Sequence, residues 1–541
     1  MTQKWYFCRI FSMAHCIVVM AVVGMTVVAA APSPASATDR KPNIVFLVAD
    51  DLGYGDLSSY GGPVRTPNID ALAAAGLRFT DFHTNGPVCT PTRAALMTGR
   101  YQQRAQLENA LAASPAVGLD PNQMTLSDLL RPAGYKTAIV GKWHLGTQAK
   151  FQPGRQSFDF FYGFLNGEID YVNHLDSLGN LDWWRNTTSV TTKIYSTTAI
   201  AREAVGFMQR QQANPFFLFV SFQAPHVPYQ APGDAPVRIP GQPKAPNEGN
   251  RANYPLMVQA MDAGIGTIMS ALRSLNLEGD TFVFFFSDNG AFAPGTNAPL
   301  RGIKGQLYEG GHRVPAIAYW PGHIVPGVSD ETLTTMDVFP TMLELASASV
   351  PAAQRIDGSS FLQLLFDAGV HMPARRLFWM YQGSTAARDG NWKLVNTGSQ
   401  TALYDLNTDL GETTDVAASN PGIVADLTNA VARWKVDVNA KPPVTVSVQD
   451  AGDTADPAHI VVTAEPASLE AIVHVEFWVN GALKVDDKAE PYVFDWLGAP
   501  PGTYAIKAKA FNVQGTSKMS APVTVVVPPP ASSQTVAMHR G

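Results

Sequence analysis

Cys89 is the first candidate for chemistry in this chain of 541 residues. The sequence contains three cysteines, and the other two, Cys8 and Cys16, fall within the first 37 residues. If that segment is removed on export, Cys89 has no intramolecular disulfide partner. It is followed by Thr-Pro-Thr and then by Arg93, ahead of a run of small residues. Cys89 is therefore either a small buried residue or a group that takes part in a reaction.

Two pairs of oxygen-bearing side chains directly follow apolar segments that are typical of β-strands. Asp50 and Asp51 follow one such segment, and Asp288 and Asn289 follow another. Burying two adjacent carboxylates is costly without a cation. Carboxylate and amide oxygens suit Ca²⁺ or Mg²⁺, whereas Zn²⁺ prefers thiolate and imidazole ligands. Either pair alone would more often be a helix cap or a solvated turn, but together with Cys89 they predict a hard-cation site.

Basic side chains follow further apolar segments. Lys142 and His144 lie in Gly-Lys-Trp-His-Leu-Gly, His226 follows a strand-like run of phenylalanines, and Lys304 lies in Arg-Gly-Ile-Lys-Gly. Such groups can bind an anion or transfer protons. A structural role would be the ordinary interpretation of any one of them alone, and His226, between two prolines, could be a plain loop residue.

Taken in order, these motifs resemble the signatures of the type I sulfatases of the alkaline phosphatase superfamily. The Cys-x-Pro-x-Arg pattern at Cys89, the segments around His226 and Lys304, and a complete Gly-Lys-Trp-His-Leu-Gly carry the resemblance, which extends over about Pro42–Leu410. In that family a maturation enzyme oxidises the cysteine to Cα-formylglycine (3-oxoalanine) before the chain folds. The resemblance implies the same modification here, and Ca²⁺, or alternatively Mg²⁺, as the cofactor.

The resemblance also implies a role for each site residue. One hydroxyl of the hydrated aldehyde attacks sulfur, with Arg93 and Lys142 holding it. Lys142 and Lys304 meet the charge on the sulfuryl oxygens. His226 or Lys304 protonates the leaving group, and His144 takes the proton of the second hydroxyl so that sulfate is expelled. The implied cation ligands are Asp50, Asp51, Cys89, Asp288 and Asn289.

Two positions depart from the family pattern. Many members have Ser where this chain has Thr92. The modifying enzymes mainly require Cys, Pro and Arg, so we still expect conversion of Cys89. His312 stands where an aliphatic residue is common, and it is either a substrate contact or, as we expect, a packing residue.

The apolar segments predict an α/β fold that would position these groups. Strand-like runs, apolar on both faces, alternate with helical stretches, which is typical of a sheet covered by helices. The resemblance implies a mixed central sheet of the alkaline phosphatase and sulfatase type. Ligands of such sheets bind beyond the carboxyl ends of the strands. The predicted strands begin at Asn43, Tyr135, Phe216, Thr281 and Ala316, and the predicted helices include those that begin at Pro67, Thr198 and Tyr254.

The chain divides into several predicted parts. Short strands and a closing helix resemble the C-terminal subdomain of sulfatases, and Lys-Pro-Pro then marks a stiff linker. Beyond it, period-two alternation broken by Asn-Gly predicts hairpins and an immunoglobulin-like (Ig-like) sandwich, which resembles modules of secreted bacterial enzymes. We expect a signal peptide (1–37), a catalytic domain (41–370), a C-terminal subdomain (371–440), a linker (441–443), an Ig-like domain (444–528) and a disordered tail (529–541).

The N-terminus predicts export. Its basic start, the weakly polar-to-apolar stretch 17–31 and the Ala-Ser-Ala that ends at Ala37 are typical of a cleaved signal peptide. Stable membrane insertion is not expected, because the stretch is short and prolines follow it; an uncleaved anchor is the alternative. Without this segment the chain has 37 basic and 45 acidic residues, and such a charge gives no electrostatic reason to bind nucleic acid. We predict a secreted or periplasmic bacterial protein.

The substrate is less well defined by the sequence. The aromatic and polar stretch 168–186 either lines the mouth of a pocket or packs onto the domain. Similar stretches in arylsulfatases and N-acetylgalactosamine sulfatases imply a sulfated saccharide first and a small aryl sulfate second. The alternatives are a phosphomonoester or phosphonate hydrolase of the same superfamily, and a polysaccharide-binding protein with an inactive catalytic domain. The presence of every expected polar site residue argues against the last.

Overall fold

A computed structural model describes residues 41–112, 117–243, 248–351, 354–367, 369–438, 445–450, 460–465, 472–488, 492–512, 517–520 and 522–527. The predicted signal peptide, linker and disordered tail lie outside these residues. Within them the chain forms nine α-helices and twenty-four strands. None of these helices has the length and apolar character needed to cross a membrane.

A mixed sheet organises the first part of the described chain. The strands of this part are β1 (Asn43–Asp50), β2 (Leu77–Phe79), β3 (Phe82–His83), β4 (Lys136–Lys142), β5 (Phe160–Phe164), β6 (Trp184–Arg185), β7 (Thr188–Ser189), β8 (Phe216–Pro225), β9 (Thr281–Ser287), β10 (Ala316–Tyr319), β11 (Gly327–Ser329) and β12 (Leu333–Thr334). Ten of them form one sheet in the order β11-β2-β10-β9-β1-β8-β4-β5-β6-β7, while β3 pairs with β12. β1 lies between its parallel neighbours β8 and β9, and β10 runs antiparallel to β9.

Helices cover both faces of this sheet. They are α1 (Pro67–Ala75), α2 (Cys89–Thr98), α3 (Leu126–Leu130), α4 (Ser196–Gln211), α5 (Tyr254–Ser274), α6 (Glu309–His312), α7 (Thr335–Leu345) and α8 (Leu362–Phe366). Successive strand side chains point to opposite faces, so Phe46 packs into one core with Met97 of α2, and Leu47 packs into another with Ile265 of α5. The predicted α/β class with a helix-covered mixed sheet is confirmed.

A second, antiparallel sheet follows, with strands in chain order. It consists of β13 (Arg376–Tyr381), β14 (Ser384–Asp389), β15 (Trp392–Asn396) and β16 (Thr401–Asp405). The helix α9 (Pro421–Val438) packs on it through Leu427 and Val431, which contact Leu394 and Leu403 in one apolar cluster. The sequence pattern predicts strands over Leu377–Tyr381, Trp392–Val395 and Ala402–Tyr404 and a helix over Pro421–Trp434, which correspond to β13, β15, β16 and α9. It does not predict β14, whose Ser-Thr-Ala-Ala-Arg-Asp lacks large apolar residues.

Buried ion pairs join this second sheet to the α/β part. Arg388 of β14 donates to both oxygens of Asp81 at 2.8 and 2.7 Å. Lys393 of β15 lies 2.7 Å from Glu309 of α6 and 3.3 Å from Glu412, and its side chain is fully buried. Because these charges are buried, the loss of one partner would leave the charge of the other uncompensated inside the protein. The junction between the two sheets is therefore ionic as well as apolar.

Two neutral histidines complete this junction. Lys393 donates to His312 Nε2 at 3.0 Å, so that nitrogen accepts. His312 Nδ1 lies 3.0 Å from His83 Nδ1, and His83 Nε2 lies 2.8 Å from Asp81 and 3.0 Å from the Arg388 guanidinium. Burial lowers the pKa of both histidines, in agreement with one proton on each ring. His312 is thus a packing residue, the role that the sequence favoured.

Replacement of Lys393 by Met is expected to destabilise the protein by about 3 kcal/mol, because the buried carboxylates of Glu309 and Glu412 lose the cation that they share, although Arg313 still pairs with Glu309. Urea denaturation of the variant and the unmodified chain measures the difference. Arg273→Gln is the control, since the pair of Arg273 with Glu278 is largely exposed and its loss should cost less than about 1 kcal/mol. Equal losses in the two variants would contradict the expectation.

The last described segments form two antiparallel sheets, as predicted for an Ig-like sandwich. The strands are β17 (Thr445–Asp450), β18 (Ile460–Glu465), β19 (Ile472–Val479), β20 (Ala482–Asp487), β21 (Val493–Trp496), β22 (Gly502–Asn512), β23 (Ser517–Met519) and β24 (Val523–Val527). One sheet has the order β17-β18-β21; the other is β20-β19-β22-β23, with β24 also paired to β22. Phe477 and Phe494 lie in the core. Asn480 and Gly481 form the hairpin turn with φ of 48° and 81°.

Candidate active site

The carboxyl ends of β1 and β9 bring the two predicted acidic pairs together. These strands are parallel neighbours in which Ala49 pairs with Ser287, so the residues that follow them meet at one edge. The backbone N–H of Asp51 lies 3.4 Å from an oxygen of Asp288, and the amide of Asn289 donates to Asp51 at 2.7 Å. Asp51 has φ of 66°, a strained value for a residue with a side chain. Strain of this kind is typical of functional sites.

Cys89 lies at the first position of α2, with its side chain pointing to the same edge. Its Sγ is 3.5 Å from an oxygen of Asp50 and 3.6 Å from the Lys304 ammonium. One helical turn later, on the same face, Arg93 donates two hydrogen bonds to Asp288 at 3.0 and 2.8 Å. A third goes to the hydroxyl of Ser221 at 2.6 Å. The Cys-x-x-x-Arg spacing thus places both side chains at the strand ends.

Two lysines pair with the carboxylates beside Cys89. Lys142, at the end of β4, lies 2.6 Å from Asp50, and both side chains are fully buried. Lys304 lies 2.6 Å from Asp51. Burial would raise the pKa of Asp51, but the charge of the adjacent Lys304 holds that pKa well below its ordinary value. The site therefore contains fixed positive and negative charges side by side, as an anionic ester and a cation would both require.

His144 is held as a base by its surroundings. It lies just after β4 with φ of 56°, and its Nε2 lies 2.9 Å from the carbonyl oxygen of Leu111. Since a carbonyl only accepts, Nε2 carries the proton and Nδ1 has the lone pair. That Nδ1 is buried and has no hydrogen-bond partner among the described residues. Burial and the neighbouring Lys142 lower the pKa of His144 well below its ordinary value, so the ring is neutral.

His226 carries its proton on Nδ1, whereas His144 carries its proton on Nε2. His226 directly follows β8, and its Nδ1 lies 2.8 Å from the carbonyl oxygen of Val227, to which it donates. Its Nε2 lies 3.6 Å from an oxygen of Asp51. Burial lowers the pKa of His226 to about 4, although the charge of Asp51 opposes the shift. The two histidines thus present different ring nitrogens for proton transfer.

The donor set fits a hard divalent cation. The side-chain oxygen of Asn289 is buried and accepts no hydrogen bond from the described part of the chain, which leaves it available to a ligand. Ligand atoms of Asp50, Asp51, Cys89 and His226 lie within 4.8 Å of one another. Carboxylate and amide oxygens are what Ca²⁺ and Mg²⁺ prefer. Burial, and then the nearby Asp50, raise the pKa of Asp288 to about 6, a cost that a bound cation would offset.

The aromatic stretch after β5 does not supply a sugar platform from its buried residues. Trp183 is fully buried and stacks on Phe164, and Tyr171 is also fully buried. For these residues the packing alternative is the correct one. Sequence reasoning missed Ser221, which lies in the middle of a strand, and gave Glu168 no individual role.

An α/β sheet whose strand ends carry carboxylates and basic side chains, with a cysteine at a helix start beside them, is the arrangement expected of a hydrolase of anionic esters. A family model described as "Sulfatase" matches residues 42–348, more than half of the chain. The chain belongs to the sulfatase family and is a sulfuric ester hydrolase. Two further models match, "N-sulphoglucosamine sulphohydrolase, C-terminal" at 303–435 and "Bacterial Ig domain" at 436–508.

Known proteins agree with this assignment. The chain is 37% identical over 415 residues to N-acetylgalactosamine-6-sulfatase of Sus scrofa, which covers 70% of this chain and 74% of that protein. It is 34% identical over 429 residues to arylsulfatase A of Homo sapiens, covering 72% and 82%. The crystal structure of Ps i-CgsB in complex with k-i-k-neocarrahexaose is similar, with a TM-score of 0.68, 32% identity and coverage of 74% of this chain and 93% of that one.

Proposed function

We propose that this protein is an exported sulfatase that removes sulfate from a sulfated saccharide, with Cα-formylglycine formed from Cys89 and a divalent cation, Ca²⁺ in the first place. The observation that carries the proposal is the position of the Cys89 sulfur, 3.5 Å from Asp50 and 3.6 Å from Lys304. A residue there contacts both the predicted cation ligands and the predicted sulfate-binding group.

The unmodified thiol is poorly suited to the reaction. Burial raises the pKa of the Cys89 thiol to about 12, although Lys142 and Lys304 oppose the shift, so almost none is thiolate at neutral pH. The formylglycine hydrate would supply a hydroxyl nucleophile with a second hydroxyl for sulfate release, and Asp50, Asp51, Asp288 and Asn289 would hold a cation that lowers the pKa of that nucleophile. A maturation enzyme is therefore the proposed protein partner.

The remaining basic side chains bind the ester. Lys142 and Lys304 supply the positive charge that meets the developing negative charge on the sulfuryl oxygens. Arg93 is held by Asp288 and Ser221, and it fixes the first turn of α2, and with it residue 89, at the strand ends. Because Lys142, Lys304 and Arg93 each pair with a carboxylate, their positive groups are in place before the substrate binds.

The two histidines transfer the protons. His144 accepts through Nδ1, the buried nitrogen that carries no proton, when sulfate is released. Asp51 raises the pKa of Lys304 well above its ordinary value, against the effect of burial, so Lys304 keeps its protons and binds charge. We assign the leaving group's proton to His226 Nε2, which has to be protonated in the substrate complex because the free ring, with a pKa of about 4, is neutral; the negative charge of a bound sulfate monoester favours that protonation.

A saccharide is the proposed substrate because of the relatives. One is named N-acetylgalactosamine-6-sulfatase, and a solved relative is described with a neocarrahexaose. Export, the individual site residues and the domain limits 41–370, 371–440 and 444–528 remain proposals. The Ig-like part, which the bacterial Ig model matches at 436–508, is proposed as a spacer or weak adhesion module.

The matured protein should prefer 4-nitrophenyl sulfate to 4-nitrophenyl phosphate by at least about 100-fold in kcat/KM, or about 2.7 kcal/mol. The second negative charge of a phosphate monoester would lie against Asp50 and Asp51. Release of 4-nitrophenolate measures both rates. A parallel preparation of Cys89→Ala, which should be inactive on both, excludes contaminating phosphatases. A hundredfold preference for phosphate would favour the phosphohydrolase alternative, and an inert protein that binds glycans tightly would favour the binding alternative.

A further inference from the structure

The larger sheet of the Ig-like part carries an aromatic ring on its outer face. Along β19, Val475, Phe477 and Val479 are buried in the core of the sandwich. Successive side chains of a strand point to opposite faces, so Trp478 points away from that core, and it is only half-buried. Its indole N–H donates to Glu476, two residues back on the same face, at 3.0 Å. This bond holds the indole along the strand and leaves a broad side of the ring for a ligand.

Two lysines of β22 lie beside this ring. The register of β19 and β22 pairs Trp478 with Lys507 and Glu476 with Lys509. Both lysines lie on the outer face and are half-buried, because Ala508 between them is in the core. Neither lysine forms an ion pair with another described residue. The outer face therefore combines an aromatic ring with two ammonium groups that are available to an anion.

The rest of this face is also occupied by rings and charges. The ring of His474 stacks on that of Phe511, with centroids 4.2 Å apart, and the Lys509 ammonium lies 4.7 Å from the centre of the Phe511 ring. Asp486 of β20 lies 3.6 Å from Lys488 and 3.7 Å from His474. The carboxylate of Asp486 thus has its own cation, and it does not pair with the lysines of β22.

The two sheets of the sandwich differ in charge. The strands β17, β18 and β21 contain no lysine or arginine and three carboxylates, those of Asp450, Glu465 and Asp495. The strands of the larger sheet contain three carboxylates and four lysines, namely Glu476, Asp486 and Asp487 with Lys484, Lys507, Lys509 and Lys518. Positive charge in the strands of the sandwich is therefore confined to the sheet that carries the outward ring, and an anionic ligand is favoured there.

We propose that this outer face binds a sulfated polysaccharide, with Trp478 stacking on a sugar ring and Lys507 and Lys509 contacting sulfate groups. The choice of a sulfated glycan rests on the proposed function, in which the catalytic part acts on such a chain. A neutral glycan would leave both ammonium groups without a counter-charge, and an acidic peptide would leave the indole without a flat apolar partner. Attachment to the polymer raises the effective concentration of its sulfate esters at the enzyme.

The test measures binding by the full-length Cys89→Ala chain, which should not hydrolyse the ligand. Native electrophoresis is run in gels that contain carrageenan, a sulfated galactan, or agarose, an unsulfated galactan. We expect carrageenan to retard the chain and agarose not to. Trp478→Ala should weaken the affinity for carrageenan at least about 10-fold, because tryptophans often dominate the energy of an interface. The double variant Lys507→Gln, Lys509→Gln should weaken it about fivefold and reduce its dependence on salt.

Lys488→Gln is the matched control, since that lysine already pairs with Asp486; it should change the affinity less than about twofold. The unfolding temperature of each variant shows whether it is folded. Should Trp478→Ala not fold, the double lysine variant decides. Undiminished affinity in either of these two variants, equal retardation by carrageenan and agarose, or equally tight binding of polyglutamate would overturn the proposal, and the last would indicate an acidic protein partner.

Catalysis provides a separate measurement. In the matured chain that retains Cys89, Trp478→Ala and the double lysine variant should leave turnover of 4-nitrophenyl sulfate unchanged, because that small ester does not extend to the Ig-like part; a loss of this turnover in folded variants would contradict a role in binding the polymer. Failure of the proposed function has a different signature, namely that the matured chain hydrolyses no sulfate ester, whereas retardation of the Cys89→Ala chain requires no hydrolysis.

Discussion

Replacement of Cys89 by Ala is expected to lower kcat/KM for every sulfate ester by at least about 10⁴-fold, in the range seen when other enzymes lose their nucleophile. Alanine cannot be oxidised to an aldehyde, and its methyl group places no nucleophilic atom where the Cys89 sulfur lies, beside Lys304 and Asp50. Cys89→Ser separates the two functions of residue 89, since a serine hydroxyl could attack once but has no second hydroxyl to release sulfate. We expect at most a single turnover from it, measured by sulfate release at high enzyme concentration.

Thr92→Ser is the matched control on the same helix. Its hydroxyl lies 3.1 Å from the carbonyl oxygen of Gly86, and serine retains that hydrogen bond. Thr92→Ser is expected to have an activity within about threefold of that of the original chain. Mass spectrometry of the peptide around Cys89 should show an aldehyde in place of the thiol in the original chain and in Thr92→Ser. Full multiple-turnover activity of Cys89→Ser, or an unmodified thiol in the active protein, would refute the proposed nucleophile.

The geometry of strand ends explains why so much of this site could be predicted from the sequence. Asp51 and Asp288 are 237 residues apart, yet each follows an apolar strand. Neighbouring parallel strands carry such residues to one edge of the sheet. The helix start at Pro67 and the strand Ala316–Tyr319 were also placed correctly. These features depend on short-range rules of periodicity, capping and turn chemistry.

Features that depend on long-range packing could not be predicted. Arg388 meets Asp81 across 307 residues, and neither residue stands in a pattern that identifies its partner. Ser221 is hidden within the apolar strand β8, and only the fold shows that Arg93 reaches it. Glu168 lies in a stretch without periodicity, so its position beside His226 required the structure.

The same limit applies to the aromatic stretch 168–186. Its composition suited a sugar-binding surface and a packed loop equally well, because an aromatic ring contributes to either. The burial of Trp183 and Tyr171 decides for packing at these two positions. Composition could show that the stretch is rich in rings, but the direction of each ring depends on the register of β5 and the turns after it.

Removal of divalent cations is the second change with a large expected effect. Treatment with EDTA should lower turnover of 4-nitrophenyl sulfate by at least about 10³-fold, and Ca²⁺ should restore it. The side-chain oxygen of Asn289 is buried and has no hydrogen-bond partner among the described residues, so it can accept a cation. A cation at 100 times its dissociation constant should stabilise the fold by about 2.7 kcal/mol. Thermal unfolding with EDTA and with added Ca²⁺ or Mg²⁺ measures this effect independently of activity.

A substitution distinguishes binding at this site from binding elsewhere. Asp288→Asn keeps the shape of the side chain but removes a ligand charge, and should weaken Ca²⁺ at least about 10-fold, because ligand charge sets affinity. The matched control is Asp330→Asn, an exposed carboxylate that follows β11, which should leave the affinity unchanged. The Ca²⁺ affinity of each variant is measured from the dependence of its unfolding temperature on the Ca²⁺ concentration. If Asp288→Asn retains the original affinity while EDTA still abolishes activity, the cation binds at other residues, and the strand-end site would have to be given up as its location.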